Sequence, residues 1–216
     1  GEKFYQHSKA IMGELEWAIN DFIYDKDFPG GTLKINAPHS FLQGYLSELI
    51  SNFMKLYPLI KIDLFLSDEY VEINEENFDL SLRISAKKHT DPHSHLLNIY
   101  QRRFYATDAY FKKYGKPTEL EQLKQHHLLL YSQKRSPNKI KLFRNNTEES
   151  IYTNPLCTCN SGSFLLELCK NNQGIIYLPS FLLEKDEALG HITCCLEDYQ
   201  SPELYVYAIT SSKKKI

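Results

Sequence analysis

Two serines stand where helices are predicted to begin, and their hydroxyls suit the binding of an anion. Ser40 follows Pro38 at the start of one amphipathic stretch, and Ser161 precedes Gly162 at the start of another. The first amides of a helix are free to donate and lie at the positive end of its dipole, so a hydroxyl beside them favours a carboxylate ligand. Ser40 also has a plainer interpretation, because serine is a common helix N-cap.

Three arginines on predicted strands add positive charge. Arg83 lies in the strand predicted at 78–84, and Arg102 and Arg103 begin the strand predicted at 102–107. Side chains alternate across a strand, so at most one of Arg102 and Arg103 is expected to face a shared site. Arg83 lies among apolar residues, and a structural arginine with its partners inside the fold is the alternative.

Catalytic and metal-binding motifs are missing from the sequence. It contains no Gly-x-Ser-x-Gly, no Gly-x-x-x-x-Gly-Lys and no Gly-x-Gly-x-x-Gly, and no pair of carboxylates stands out in an apolar setting. His89, Asp91, His93 and His95 lie in a predicted loop and match no rigid metal-ligand spacing. We therefore predict no catalytic residue, no metal and no cofactor.

Composition indicates a globular cytoplasmic protein. The 216 residues are 42% hydrophobic and 24% charged, and the formal net charge of -2 lacks the clustered positive field that nucleic-acid binding needs. No run of about 18 apolar residues predicts a membrane span, and no secretion signal opens the chain. The five cysteines lack zinc spacing. Cys157 and Cys159 are interpreted as small buried hydrophobes, with a redox pair as the alternative.

Helices and strands alternate along the chain, which predicts an α/β fold. Strands are predicted at 32–37, 60–66, 78–84, 102–107, 128–131, 140–143, 175–179, 191–196 and 204–209, and helices at 45–56, 71–77, 109–114, after Ser161 and before Gly190. The first strand–helix–strand unit predicts parallel strands. Residues 86–95 are polar and rich in histidine, so we expect a loop there, and Gly174 is expected to end a helix.

Two predicted helices carry apolar stripes. In the N-terminal stretch, Phe4, Ile11 and Ala18 recur every seven residues, which predicts a helix that pairs with another helix or docks on its own domain. The helix at 45–56 is predicted to bury a stripe formed by Tyr45, Leu46, Leu49, Ile50, Phe53 and Met54.

Several phrases, taken in their order and spacing, resemble the LysR-type transcriptional regulators. The matching phrases are GEKFY at 1–5, GTLKINAPHSF at 31–41, FMKLYPLI at 53–60, FDLSLRI at 78–84 and RRFYAT at 102–107. The first is similar to the start of the family's linker helix and the second to the opening of its effector domain. The resemblance covers almost the whole chain, and its order is more specific than any single phrase.

The resemblance implies two Rossmann-like lobes joined by two crossing strands, as in the type 2 periplasmic-binding-protein fold. Residues 1–28 would form the linker helix, 30–104 with 206–216 lobe I, and 105–205 lobe II. No helix-turn-helix precedes Gly1, and the family's last helix would follow Ile216, so we expect DNA to be contacted only through a helix-turn-helix outside this chain.

The family pattern also implies an effector cleft between the lobes, where the helix starts and strand ends come together. The candidate ligand-binding residues are His39, Ser40, Phe41, Ser67, Arg83, Ile84, Arg102, Tyr131, Ser161, Gly162 and Phe181. Two of them have plainer alternatives, since His39 fits an exposed loop and Tyr131 fits the core.

The implied function is the effector-sensing and oligomerisation domain of a bacterial DNA-binding regulator, which binds a small, anionic molecule and forms a homodimer or homotetramer. The helix at 45–56 is the candidate interface element. A solute-binding receptor of the same fold is the first alternative, and a small-molecule enzyme is the second. The N-terminal heptads favour the regulator, because a transport receptor needs no helix leading to a partner domain.

Overall fold

The computed structural model describes residues 29–40, 46–67, 78–132 and 139–210. Two five-stranded sheets form its framework, with helices between the strands, which confirms the predicted α/β class. The predicted linker helix at 1–28, the helix at 71–77 and the terminal residues 211–216 lie outside the described residues.

The first sheet has the strand order β2-β1-β3-β12-β4. Its strands are β1 Gly31–Ala37, β2 Ile60–Leu66, β3 Leu80–Ser85, β4 Ser94–Tyr100 and β12 Leu204–Thr210. Helix α1 (Leu46–Leu56) connects β1 to β2, and these two strands are parallel, as predicted. The last strand, β12, pairs antiparallel with β3 and β4, so the end of the chain returns to the sheet that its beginning started.

The second sheet has the strand order β11-β5-β10-β6-β9. Its strands are β5 Arg102–Ala106, β6 Leu128–Tyr131, β9 Cys157–Cys159, β10 Ile175–Pro179 and β11 Thr193–Cys195. Helices α2 (Asp108–Tyr114), α3 (Gly162–Lys170) and α4 (Glu184–Ala188) belong to this half, with 3-10 helices at Leu120–Gln125 and Ser180–Leu182. A separate hairpin pairs β7 Lys139–Arg144 with β8 Thr147–Tyr152.

The chain passes between the sheets twice. The first crossing is Gln101, the single residue between β4 and β5, and the second is the segment between β11 and β12. The lobe boundaries proposed from the resemblance stay a prediction, but each sheet has its own apolar core. The larger core belongs to the second sheet and includes Phe104, Leu128 and Leu165, whereas the fully buried core of the first sheet is Ala37, Leu46 and Leu82.

The predicted burial of α1 is wrong. Leu46 is its buried residue, whereas Leu49 is 63% exposed and Met54 50% exposed. Ile50 packs against the small core of the first sheet, so the sheet covers only one edge of the apolar stripe. Phe53 is half-buried with its ring 4.9 Å from that of Tyr57, and Tyr45 lies outside the described residues.

Two other predictions fail at strand ends. The predicted loop at 86–95 is wrong at its C-terminal end, because β4 begins at Ser94 and continues to Tyr100. Gly174 does not end a helix, since α3 ends at Lys170. Gly174 instead lies where β10 approaches β6: a Cβ placed on it would lie 2.4 Å from the carbonyl oxygen of His127. A glycine therefore permits this close backbone contact.

Candidate functional site

A cleft of about 360 Å³ lies between the two sheets, within the size range of small-molecule sites. On the side of the first sheet its lining residues are Pro38, Ser40, Ser67, Arg83, Ile84, Ser85, Ala86, His89, Leu204 and Ile209. On the side of the second sheet they are Arg102, Tyr131, Gly162, Leu178, Pro179 and Leu182. Both halves of the protein therefore contribute to one concave surface.

Most of the candidate residues lie together in this cleft, namely Ser40, Ser67, Arg83, Ile84, Arg102, Tyr131 and Gly162. Ser161 is adjacent, but its Oγ caps α3 by accepting a hydrogen bond from the amide of Phe164 at 3.3 Å. His39 is exposed outside the lining, and Phe181 is buried with its ring 5.0 Å from that of Tyr100. Phe41 lies outside the described residues.

Arg102 is a cleft cation whose electrostatic neighbours are tyrosines. Its main-chain amide donates to Ser201 Oγ at 2.8 Å, which fixes the first residue of β5. Among the described residues no carboxylate forms an ion pair with its guanidinium, and its electrostatic neighbours are Tyr177 and Tyr131. Burial lowers the pKa of Arg102 from its ordinary value, and the two tyrosines oppose this only in part. The half-buried guanidinium is thus partly desolvated and has no acidic partner within the described part of the chain.

Tyr177, an electrostatic neighbour of Arg102, is held beside it by stacking. Burial raises the pKa of Tyr177 to about 12, although Arg102 and hydrogen bonding with Ser201 oppose the rise. The Tyr177 ring stacks on Phe104, with the ring centroids 4.4 Å apart. With its pKa raised in this way, Tyr177 stays neutral near neutral pH and does not neutralise the guanidinium of Arg102.

His89 is a lining residue that sequence reasoning assigned only to a polar loop. Its ring stacks on the ring of Tyr207, with centroids 4.6 Å apart, and its amide donates to the Tyr207 hydroxyl at 3.0 Å. The histidine-rich composition marked the loop, but its pairing with β12 left no signal in the sequence. Leu204 and Ile209 of β12 were missed for the same reason.

The charged side chains in the described lining of the cleft are basic. Its described lining contains two arginines and one histidine but no aspartate or glutamate. The hydroxyls of Ser40, Ser67 and Ser85 supply polar contacts, and Leu178, Pro179 and Leu182 supply an apolar wall. This combination suits a small anion with an apolar body.

The described residues lack two further features, a membrane-spanning helix and a cluster of metal-binding side chains. It contains no helix long and apolar enough to cross a membrane. It also contains no cluster of three or more His, Cys, Asp or Glu side chains that could hold a metal ion, and its five cysteines form no disulfide. Cys157 and Cys159 are half-buried and pack against the larger core.

Comparison with known proteins agrees with this architecture. The model of the LysR substrate-binding domain matches residues 26–216. The HTH-type transcriptional regulator CrgA of Neisseria meningitidis serogroup B is 26% identical over 220 residues, covering 100% of this chain and 72% of CrgA. PtxR of Pseudomonas aeruginosa, also an HTH-type transcriptional regulator, is 22% identical over 214 residues, covering 99% of this chain and 69% of PtxR.

Solved structures give the same result. The regulatory domain of Neisseria meningitidis CrgA superposes with a TM-score of 0.74 at 27% identity, covering 85% of this chain and 90% of that domain. The predicted periplasmic-binding-protein-like fold is confirmed by this likeness together with the two sheets. Because the family model spans most of the sequence, the chain belongs to the LysR substrate-binding domain family, the effector-binding domains of LysR-type transcriptional regulators.

Proposed function

We propose that this chain senses a small organic anion in the cleft between its two lobes and transmits the occupancy of the cleft to a DNA-binding domain. The observation that carries the proposal is the desolvated guanidinium of Arg102, which has no acidic partner among the described residues. A buried charge without a counter-charge is costly. An anionic ligand that pairs with Arg102 offsets this cost, which makes a carboxylate the favoured effector group.

The helix start supports the same chemistry. Gly162 is the first residue of α3 and lines the cleft, which brings the N-terminal end of this helix to the site. Across the cleft, Ser40 and Ser67 supply hydroxyls from the first lobe. A carboxylate held by Arg102 and by amides of α3 would leave its apolar body against Leu178 and Leu182.

A ligand in this position contacts both lobes. We propose lobe I as 30–104 with 206–216 and lobe II as 105–205, so Ser40 and Arg102 belong to the first and Tyr131 and Gly162 to the second. Ligand binding then favours the lobe angle that allows both sets of contacts. The size of this shift is limited by the difference between the ligand's affinities for the two arrangements.

In this proposal, a change in the angle between the lobes alters the arrangement of the associated subunits, and thereby the position of their DNA-binding domains on DNA. We propose a homodimer or homotetramer in which α1 is an interface element, supported by its exposed apolar residues Leu49, Met54 and Leu56. DNA would be contacted through a helix-turn-helix outside this chain. The named relatives are transcriptional regulators, which favours this function over a solute receptor or an enzyme.

The test is calorimetric titration with a panel of aliphatic and aromatic monocarboxylates and dicarboxylates that carry no amino group. Arg102→Gln is the test variant, and Arg103→Gln is its matched control, with the same substitution on the opposite face of the same strand. We expect a ligand that binds the wild type and the control alike and binds Arg102→Gln about tenfold or more weakly. Absence of binding by every acid, or equal binding by Arg102→Gln, would overturn the proposal.

A further inference from the structure

A second pocket lies on the opposite side of β5 from the cleft. Arg102 and Arg103 are consecutive in β5, so their side chains point to opposite faces: Arg102 lines the cleft and Arg103 lines this pocket. The pocket has a volume of about 330 Å³, and its polar lining includes Gln101, Glu187 and Glu203. It therefore touches both places where the chain crosses between the sheets.

The charges around this second pocket are opposite in sign but do not neutralise each other. Arg103 supplies one guanidinium, and Glu187 and Glu203 supply two carboxylates. Among the described residues, none of these three side chains forms an ion pair with an N–O distance within 4.0 Å. The cavity thus separates a fixed positive group from two negative groups.

Two buried tyrosines hold the carboxylates in place. Tyr105 is 1% exposed, and its hydroxyl donates to Glu187 Oε2 at 2.7 Å. The hydroxyl of Tyr205, which is also buried, donates to Glu203 Oε2. Carboxylates restrained before binding lose less side-chain entropy when a ligand arrives. Both hydroxyls donate to the carboxylates and leave other carboxylate lone pairs available to a donor in the pocket.

We propose that this pocket binds a zwitterion of the α-amino acid type. Its carboxylate would pair with Arg103, its ammonium with Glu187 and Glu203, and its apolar side chain would contact Ile99 and Tyr100. A purely anionic compound would meet two carboxylates, and a purely cationic one would meet Arg103. A molecule that carries both charges a short distance apart satisfies the whole lining.

This site goes beyond the effector cleft, because it lies on the other face of β5 and has a mixed rather than a positive lining. Its occupant contacts Gln101 in the first crossing and Glu203 at the end of the second. A bound amino acid therefore favours one lobe angle. By linkage, the amino acid changes the affinity of the cleft for its effector by some factor, and the effector changes the affinity of the second pocket for the amino acid by the same factor.

The experiment is isothermal titration of the whole chain with L-phenylalanine, 3-phenylpropanoate and 2-phenylethylamine, which share one side chain and differ in charge. We expect the amino acid to bind the wild type. In Arg102→Gln, whose effector cleft lacks this cation, we expect each singly charged analogue to bind about tenfold or more weakly than the amino acid. Arg103→Gln and Glu203→Gln should weaken phenylalanine binding by about the same factor. Lys185 is exposed and lies on α4 outside the pocket, so Lys185→Gln should leave phenylalanine binding unchanged. L-Leucine serves as a second zwitterion with a different apolar side chain.

Each contrary outcome is decisive. The proposal fails if neither amino acid binds the folded wild type, if either analogue binds the Arg102→Gln chain as well as phenylalanine does, or if Arg103→Gln binds phenylalanine normally. Arg103 and Glu203 are exposed, so these variants are expected to fold, and their melting temperatures check this. Loss of phenylalanine binding in Arg102→Gln but not in Arg103→Gln would place the amino acid in the effector cleft, which would overturn this inference and leave the proposed function standing.

Discussion

The ring of His89 stacks on the ring of Tyr207 at a centroid distance of 4.6 Å, although 118 positions separate the two residues. This contact joins the loop after β3 to the last strand, and it does so at the edge of the cleft. The histidine therefore owes its position to a strand that is added at the end of the chain.

Removal of the Tyr207 hydroxyl should loosen this loop without removing the stacked ring. In Tyr207→Phe the amide of His89 loses its acceptor, so we expect its hydrogen exchange to accelerate and the free energy of unfolding to fall by about 1 kcal/mol. Exchange measured by NMR or mass spectrometry checks the first effect. Tyr152→Phe, at a tyrosine 68% exposed, is the control that should change neither quantity, and an unchanged exchange rate at His89 would contradict the prediction.

Gly174→Ala should destabilise the protein through a backbone clash. The new Cβ would lie 2.4 Å from the carbonyl oxygen of His127, which accepts a hydrogen bond from Ile175 at 2.8 Å, so β10 and β6 must separate. We expect a loss of about 2 kcal/mol or more in the free energy of unfolding, measured by urea denaturation.

Gly190→Ala provides the comparison for backbone strain alone. Gly190 has a φ of +71° but open space around its Cβ position, so alanine there should cost only about 1 kcal/mol. Equal losses for the two variants would show that the contact with His127 is not the cause.

Stability should fall on mild acidification because of His126. Burial lowers the pKa of His126 below its ordinary value of 6.5, and the neighbouring His127 lowers it further. The unfolded chain therefore takes up a proton near pH 6.5 while the folded chain resists it, so stability declines from pH 6.5 down to the folded-state pKa and is then constant. Above pH 6.5 this residue contributes no pH dependence.

The check is the free energy of unfolding measured by denaturation at several pH values. His126→Gln should reduce the slope below pH 6.5, whereas the substitution of an exposed histidine, His95→Gln, should retain it. If the two variants keep the same slope as the wild type, His126 is not a source of the acid sensitivity.

Substitution of the outward face of α1 should impair self-association rather than folding. Leu49 and Leu56 are 63% and 73% exposed in the single chain, so Leu49→Lys and Leu56→Lys lose little burial on folding. We expect a higher dissociation constant for self-association in sedimentation experiments and a melting temperature that changes little at concentrations where the protein is monomeric. Leu189→Lys, at a residue 60% exposed elsewhere, is the matched control. Unchanged sedimentation would exclude α1 as an interface.

The elements that the sequence predicted well are those whose pattern reflects burial by the chain itself. Leu128–Tyr131 and Ile175–Pro179 are apolar runs in the interior of the second sheet, and both strands lie where they were predicted. By contrast, β4 is an edge strand with Leu96, Leu97 and Ile99 half-exposed, so it lacks the alternation that marks a strand with one buried face.

The site was predictable only through the resemblance. Ser40, Arg102 and Tyr131 lie far apart in the sequence, and no local spacing brings them to one cleft. His89, Leu204 and Ile209 escaped prediction because their place depends on the pairing of β3 with β12, a contact between distant segments. The apolar stripe of α1 was predicted correctly as a stripe, but a stripe does not specify whether the same chain or a partner covers it.

A single residue, Gln101, connects β4 to β5. The orientation of one lobe relative to the other therefore depends more on the length of this connection than on the type of residue in it. Each sheet fixes the register of its own strand, so an insertion beside Gln101 would leave both cores intact and turn one lobe relative to the other. A substitution at Gln101 keeps this spacing, whereas an added or deleted residue changes the geometry of the cleft in one step. Length variation among related chains is therefore expected at the Asn145–Asn146 hairpin turn, far from this connection in sequence, and not here.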